Sequence, residues 1–218
     1  MLHQHLVDQI LELPDAPLLI QRVSDHLASE RKRREQFYND IDESIKAEFI
    51  NGEPIVHSPV RKEHNEVTGF LYQLLNVFVR KNKLGFVGFE KIMTVFSRND
   101  YEPDLVFFGN EKARLFKKGQ TLFPTPDFVV EVLSASTEKN DRGIKFDDYE
   151  THGVGEYWII DPIREVVEQY TLTDGRYELL QKSADGTINS TVIEGFGIPV
   201  RALFDEALNF AALQTLMQ

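Results

Sequence analysis

The sequence predicts a mixed α/β domain, a β-sheet of mixed strand direction with helices packed on its faces. Three observations carry this. Short apolar runs are interspersed with a long stretch of helical periodicity, in the order strands, helix, strands, helix. Two-residue turn signals, Asn51-Gly52 and Asp174-Gly175, join some strands as hairpins, so the sheet is not purely parallel. The run Phe128–Leu133, FVVEVL, is apolar on both sides of its alternation, the mark of a strand covered on both faces.

Residues 2–39 have helical spacing, with Leu6, Ile10 and Leu11 in a first segment and Leu18, Leu19, Val23 and Leu27 in a second after Pro17. They make residues 1–44 a helical appendage to a domain over residues 45–218, and their apolar stripe is a surface on which a second copy could pack as a homodimer. The cluster ERKRREQ, Glu30 to Gln36, reads either as a nucleic-acid contact or as a solvated helix face.

From Ile45 to His57, two short alternating runs flank Asn51-Gly52, and Pro59 ends the second. A helix follows from Arg61 to Lys81, its stripe of Val67, Phe70, Leu71, Leu74, Leu75 and Phe78 facing a sheet. One turn back along that stripe lie Glu63 and His64; His64 is either a satisfied histidine near the helix start or a site-lining residue. Phe86 to Ser97 is a strand or bent strand pair, Asn99-Asp100 a turn, and Asp104 to Phe108 the next strand. Asn110 to Lys118 carries Lys112, Arg114, Lys117 and Lys118, a basic patch expected close to the acid-bearing strands on either side of it in sequence; it is either solvated surface or a phosphate contact. After the central stretch, a hairpin at Asp174-Gly175, a turn at Asp185-Gly186 and a helix within Val200–Leu213 complete the chain, with no internal repeat.

Composition narrows the chemistry. With no cysteine, thiolate zinc sites and cysteine nucleophiles are excluded, so a metal must be held by oxygen or histidine, and oxygen ligands favour magnesium, manganese or calcium. No apolar run approaches the roughly 20 residues that span a bilayer, and the polar start MLHQHLVDQ lacks the layout of a signal peptide; a cytoplasmic protein without membrane contact is expected. A formal charge of -11 argues against broad attraction to nucleic acid but leaves a local site open.

Glu131 is the anomaly, because a carboxylate inside an apolar strand is costly unless it is paired or metal-bound. Asp127 shares its face but lies about 13 Å away along the strand, too far for one metal. Asp104 begins its strand while Glu131 stands near the end of the next; if the two strands are antiparallel neighbours, these acids meet. Two close carboxylates repel, and a divalent cation that keeps several waters, Mg2+ or Mn2+, resolves the repulsion. Beyond Ser134, Ser136 and Thr137, a helix presents Asp141, Lys145 and Asp148 or Tyr149 on one side; Lys145 is either the partner of Asp141 or a lysine reaching back to the acids.

The segments PDLVFF, PDFVVEVLSAST and DRGIKFDDYETHGVGEYWIIDP resemble the Uma-two family of restriction-endonuclease-like proteins, in the PD-(D/E)XK nuclease superfamily, over about Glu48 to Leu172. The resemblance implies a core of four mixed strands flanked by helices, Asp104 and Glu131 as metal ligands and Lys145 as the catalytic lysine, and it supports His64 as a site residue. One departure stands out. Leu133 occupies the position two residues after the acid where the superfamily has lysine, so Lys145 takes over the role from another position, with Lys139 the runner-up.

The expected activity is metal-dependent hydrolysis of a phosphodiester bond in a nucleic acid, DNA in the first place, with Lys112, Arg114, Lys117 and Lys118 on flanking phosphates. The alternative is a catalytically inert binding or assembly protein on the same fold. Hydrolysis of a small phosphorylated molecule is a third reading. The chain has no GxxxxGK loop and no nucleophile elbow.

Overall fold

The computed structural model describes residues 4–41 and 45–218. The start of the expected N-terminal helix and the boundary at residue 44 lie outside the described residues. A six-stranded mixed sheet forms the centre: β3 (Gly85–Phe89), β6 (Leu105–Gly109), β8 (Phe128–Val132), β9 (Glu156–Asp161), β10 (Val166–Thr173) and β11 (Arg176–Ser183) lie side by side in that order. Only the β8–β9 pair is parallel. The hairpin β10–β11 turns at Asp174 and Gly175, both with positive φ, as the primed turn requires.

Strand alternation gives the central sheet two apolar faces. On one, Leu105, Phe107, Phe128, Val130 and Trp158 meet Leu71, Leu74 and Leu75 of α3 (Lys62–Asn82), and α7 (Glu206–Met217) packs beside it. On the other, Val106, Val129, Leu133, Tyr157 and Ile159 meet Tyr149 and residues of a second, five-stranded sheet. That sheet runs β2 (Glu53–Val56), β1 (Ala47–Ile50), β5 (Asp100–Tyr101), β4 (Met93–Val95), β7 (Leu122–Phe123). Asn51 and Gly52 form the tight turn of the β1–β2 hairpin, again with positive φ. A small ribbon, β12 (Thr187–Asn189) with β13 (Gly197–Pro199), covers the α3 side.

The mixed sheet with flanking helices is the expected fold class. Six strands rather than four follow from the long β10–β11 hairpin extending one edge, and a second sheet adds a layer. Two local expectations change. The β4–β5 connection turns on Ser97 and Arg98, closed by Phe96 N–H to Asn99 O, so Asp100 belongs to a strand. The helix after Ser134 is two pieces, α5 (Glu138–Asp141) and α6 (Ile144–Thr151), broken at Arg142-Gly143. A Cβ on Gly143 would fall 2.8 Å from the Lys139 carbonyl oxygen, so glycine allows this close break.

The N-terminal helices are α1 (Gln4–Leu11) and α2 (Ala16–Asp40). Leu6, Leu11, Leu18 and Val23 of their apolar stripe are exposed. The C-terminal part of α2 is docked instead: Phe37 packs on Phe49, Glu30 pairs with Arg98, and Arg34 forks onto buried Asp100. The ERKRREQ cluster thus spends Arg34 on intramolecular pairing, and Arg33 bonds the Gly52 carbonyl. No helix among the described residues is long and apolar enough to cross a membrane.

Candidate active site

β6 and β8 are antiparallel neighbours with Leu105 opposite Val130, which sets Asp104 opposite Glu131 one step further on. Both acids are almost fully buried. Asp104 Oδ2 accepts the Val132 N–H at 2.8 Å and lies 3.2 Å from His64 Nε2; Lys46 Nζ donates to Oδ1 at 3.2 Å. His64 is brought here because the first turn of α3 ends over the start of β6.

Lys145 sits in the first turn of α6 and reaches the acids. Its ammonium lies 3.0 Å from Glu131 Oε1, 2.9 Å from Glu48 Oε1 and 3.2 Å from Asp141 Oδ1, with only 2% of its side chain exposed. Tyr149, one turn on, donates its hydroxyl to the same Glu131 oxygen at 2.8 Å. The Asp141–Lys145 helix pair and the lysine reaching back are therefore one arrangement. Lys139 is exposed on α5.

Electrostatics follow from this packing. Burial pushes Glu131 well above the usual carboxylate range; Lys145 opposes that shift, while Asp141, Asp104 and Glu48 reinforce it. Burial would lower Lys145, but Glu131, Glu48 and Asp141 outweigh it and hold the ammonium charged. Burial would also raise Asp104, yet His64 and Lys46 hold it below its ordinary value. Burial raises Glu102 to about 7.

Lys46, Glu48 and Glu102 carry no role in the sequence-based expectations, and Tyr149 appears there only as one of two residues on the Lys145 side of its helix. Glu48 and Glu102 brace β1 against the segment before β6: Glu48 Oε1 accepts the Glu102 N–H at 3.0 Å and Glu102 Oε2 accepts the Ala47 N–H at 2.9 Å. A signal for Glu48 existed, since Ala47, Phe49 and Ile50 around it make it the same anomaly as Glu131, in a strand only four residues long.

Asp104, Glu131, Lys145, His64, Lys46 and Glu102 all line one cleft of about 540 Å³, walled by residues 57–61 with Glu63, by 133–138 and by 161–164. The basic patch lies elsewhere. Lys112 bonds Thr125 O and Asp127 at the other ends of β6 and β8, and Arg114, Lys117 and Lys118 follow α4 (Asn110–Ala113) there. The expected closeness fails because a connection between antiparallel strands leaves from the end of β6 opposite Asp104.

Among the described residues no three His, Asp or Glu side chains converge as a ready metal cage. Asp104 and Glu131, two hard carboxylates lining one cleft, are the residues that could hold a hydrated divalent cation there.

Comparison with known proteins places this geometry in context. A protein of Synechocystis described as uncharacterized is 30% identical over 137 residues, 62% of this chain and 77% of that protein. The crystal structure of an Anabaena variabilis protein, described as a "putative nuclease belonging to DUF820", matches with a TM-score of 0.67 over 82% of this chain and 97% of that one, at 17% identity, a likeness of fold. The family model Uma2, described as "Putative restriction endonuclease", matches residues 33–201 and so takes in Lys46, Asp104, Glu131 and Lys145. With most of its length inside that match, the chain belongs to the Uma2 family of restriction-endonuclease-like proteins.

Proposed function

We propose that the chain is a metal-dependent nuclease that hydrolyses phosphodiester bonds, with Asp104 and Glu131 holding Mg2+ or Mn2+ at the cleft floor. The observation that carries this is the meeting of Asp104, Glu131 and Lys145 from two strands and a helix in one cleft. A bound divalent cation supplies Lewis-acid polarisation of the scissile phosphate and a lower pKa for a coordinated water. Lys145, held towards its charged form by Glu131, Glu48 and Asp141, fixes Glu131 and offsets negative charge that develops on the phosphate. His64 and Lys46 orient Asp104, and Tyr149 holds Glu131 from the protein side.

One observation favours the inert alternative. Asp104 and Glu131 already have ammonium partners in Lys46 and Lys145, and His64 lies against Asp104, a network that can satisfy these carboxylates without metal. Incubation with manganese and single- and double-stranded DNA and RNA decides between them. Cleavage lost in Asp104→Ala and Glu131→Ala supports the nuclease; intact substrates throughout, with no metal-dependent rise in melting temperature, would falsify it.

A further inference from the structure

The cleft has two lips built alike. Ser58-Pro59-Val60-Arg61 leads into α3 and Asp161-Pro162-Ile163-Arg164 joins β9 to β10; both line the cleft, and each reads proline, β-branched aliphatic, arginine. Val60 is 45% and Ile163 66% exposed, and neither belongs to an apolar core of the molecule. Arg61 is exposed, and Arg164 extends into solvent with Asp161 Oδ2 3.5 Å away. A third wall is short and polar: Ser134, Ser136 and Thr137.

We infer that these lips grip an unpaired nucleic-acid strand, Val60 and Ile163 packing on base faces while Arg61 and Arg164 hold the phosphates that flank the scissile one. This rests on the nuclease reading of the cleft floor. A cleft of about 540 Å³ is the size of a small-molecule site. Its acids are buried, so a phosphodiester meets them only by entering, which a flexible single strand does without the deformation a duplex needs. Apolar side chains accept the faces of any base, and only unpaired bases offer both faces. The charge order also fits: arginines stand on the lips of an otherwise acidic chain of net charge -11, giving local phosphate contacts rather than a long basic track. Glu63 and Glu138 border the same cleft, and Glu138 is drawn off by Arg142.

The test is fluorescence anisotropy on the full chain in calcium, with labelled single-stranded DNA and RNA of one mixed sequence and the corresponding DNA duplex. A single strand is expected to bind at least about tenfold more tightly than the duplex, and the DNA and RNA arms identify which sugar is preferred. Arg61→Ala with Arg164→Ala should weaken that binding and flatten its salt dependence by about two phosphate contacts. Val60→Ser with Ile163→Ser should weaken it at every salt concentration without changing the slope, whereas Lys117→Ala with Lys118→Ala should bind as the parent does. Duplex binding as tight as single-strand binding, lip variants that bind like the parent, or no binding to any strand overturns the inference. Cleavage in manganese is read separately: a strand gripped by the lips but never cut keeps the grip and removes the nuclease, and cutting with unaltered affinity in the lip variants does the reverse.

Discussion

The two ends of β8 carry acids on the same face, and they behave as opposites. At one end Asp127 accepts the Gly109 N–H and pairs with Lys112, with about a third of each side chain in water. At the other, Glu131 shares Lys145 with Glu48 and Asp141 where almost no surface is exposed. An acid and a lysine at bonding distance describe both. What separates them is desolvation: at the open end water screens the pair, and at the closed end several charges must be balanced by one another or by a cation.

Substitutions sharpen that contrast. The largest effect is expected for Lys145→Met, which leaves three buried carboxylates without their shared cation; it should cost about 3–5 kcal/mol in urea unfolding and abolish cleavage. Nearly full stability in this variant would mean that the closed end is wetter than its burial indicates. Next, Asp104→Asn should remove a manganese-dependent stabilisation expected to be about 2–3 kcal/mol when metal exceeds its Kd about 100-fold, read as a lost shift in melting temperature.

An intermediate case lies outside the cleft, where Arg142 and Lys182 clamp Glu168. Burial would raise this acid, but Arg142, Lys182 and Tyr170 hold it down at about 2. A depressed carboxylate stabilises the fold above its ordinary value of 4.5 and loses that contribution as pH falls towards about 2. Glu168→Gln should accordingly flatten the acid limb of stability against pH. The smallest effect belongs to Lys112→Ala at the open end, roughly 0–1 kcal/mol, shrinking further in high salt, with cleavage unchanged. A large loss of cleavage there would return the basic patch to the substrate path.

What the sequence made legible follows the range of the physics involved. Period-two alternation set Glu131 on a defined face, and the opposed positions of Asp104 and Glu131 in two strands that pair antiparallel made their meeting readable from the sequence. Helical spacing likewise put Asp141, Lys145 and either Asp148 or Tyr149 on one side, of which Tyr149 is the one that reaches Glu131, although Gly143 divides the run. The network around them was not legible. Glu48 lies in the four-residue strand β1 and Lys46 just before it, and although Asn51-Gly52 announces the β1–β2 hairpin, no local pattern announces the β1–β5 pairing that carries both to the site. The basic patch misled because adjacency along a chain is not adjacency in space when the intervening strand runs away from the site.

The span of these contacts bears on how the protein folds. Lys46 meets Asp104 across 58 residues and Lys145 meets Glu131 across 14, while Glu48 comes from the first, short strand to a lysine on α6. Until both sheets have docked, these acids gain more from hydration than from one another, so the network is expected to close late, after the rate-limiting barrier. Weakening it should leave the folding rate nearly unchanged and show in faster unfolding. The cluster proposed for chemistry would then also act as the kinetic latch of the cleft, and a chain only partly folded would have neither.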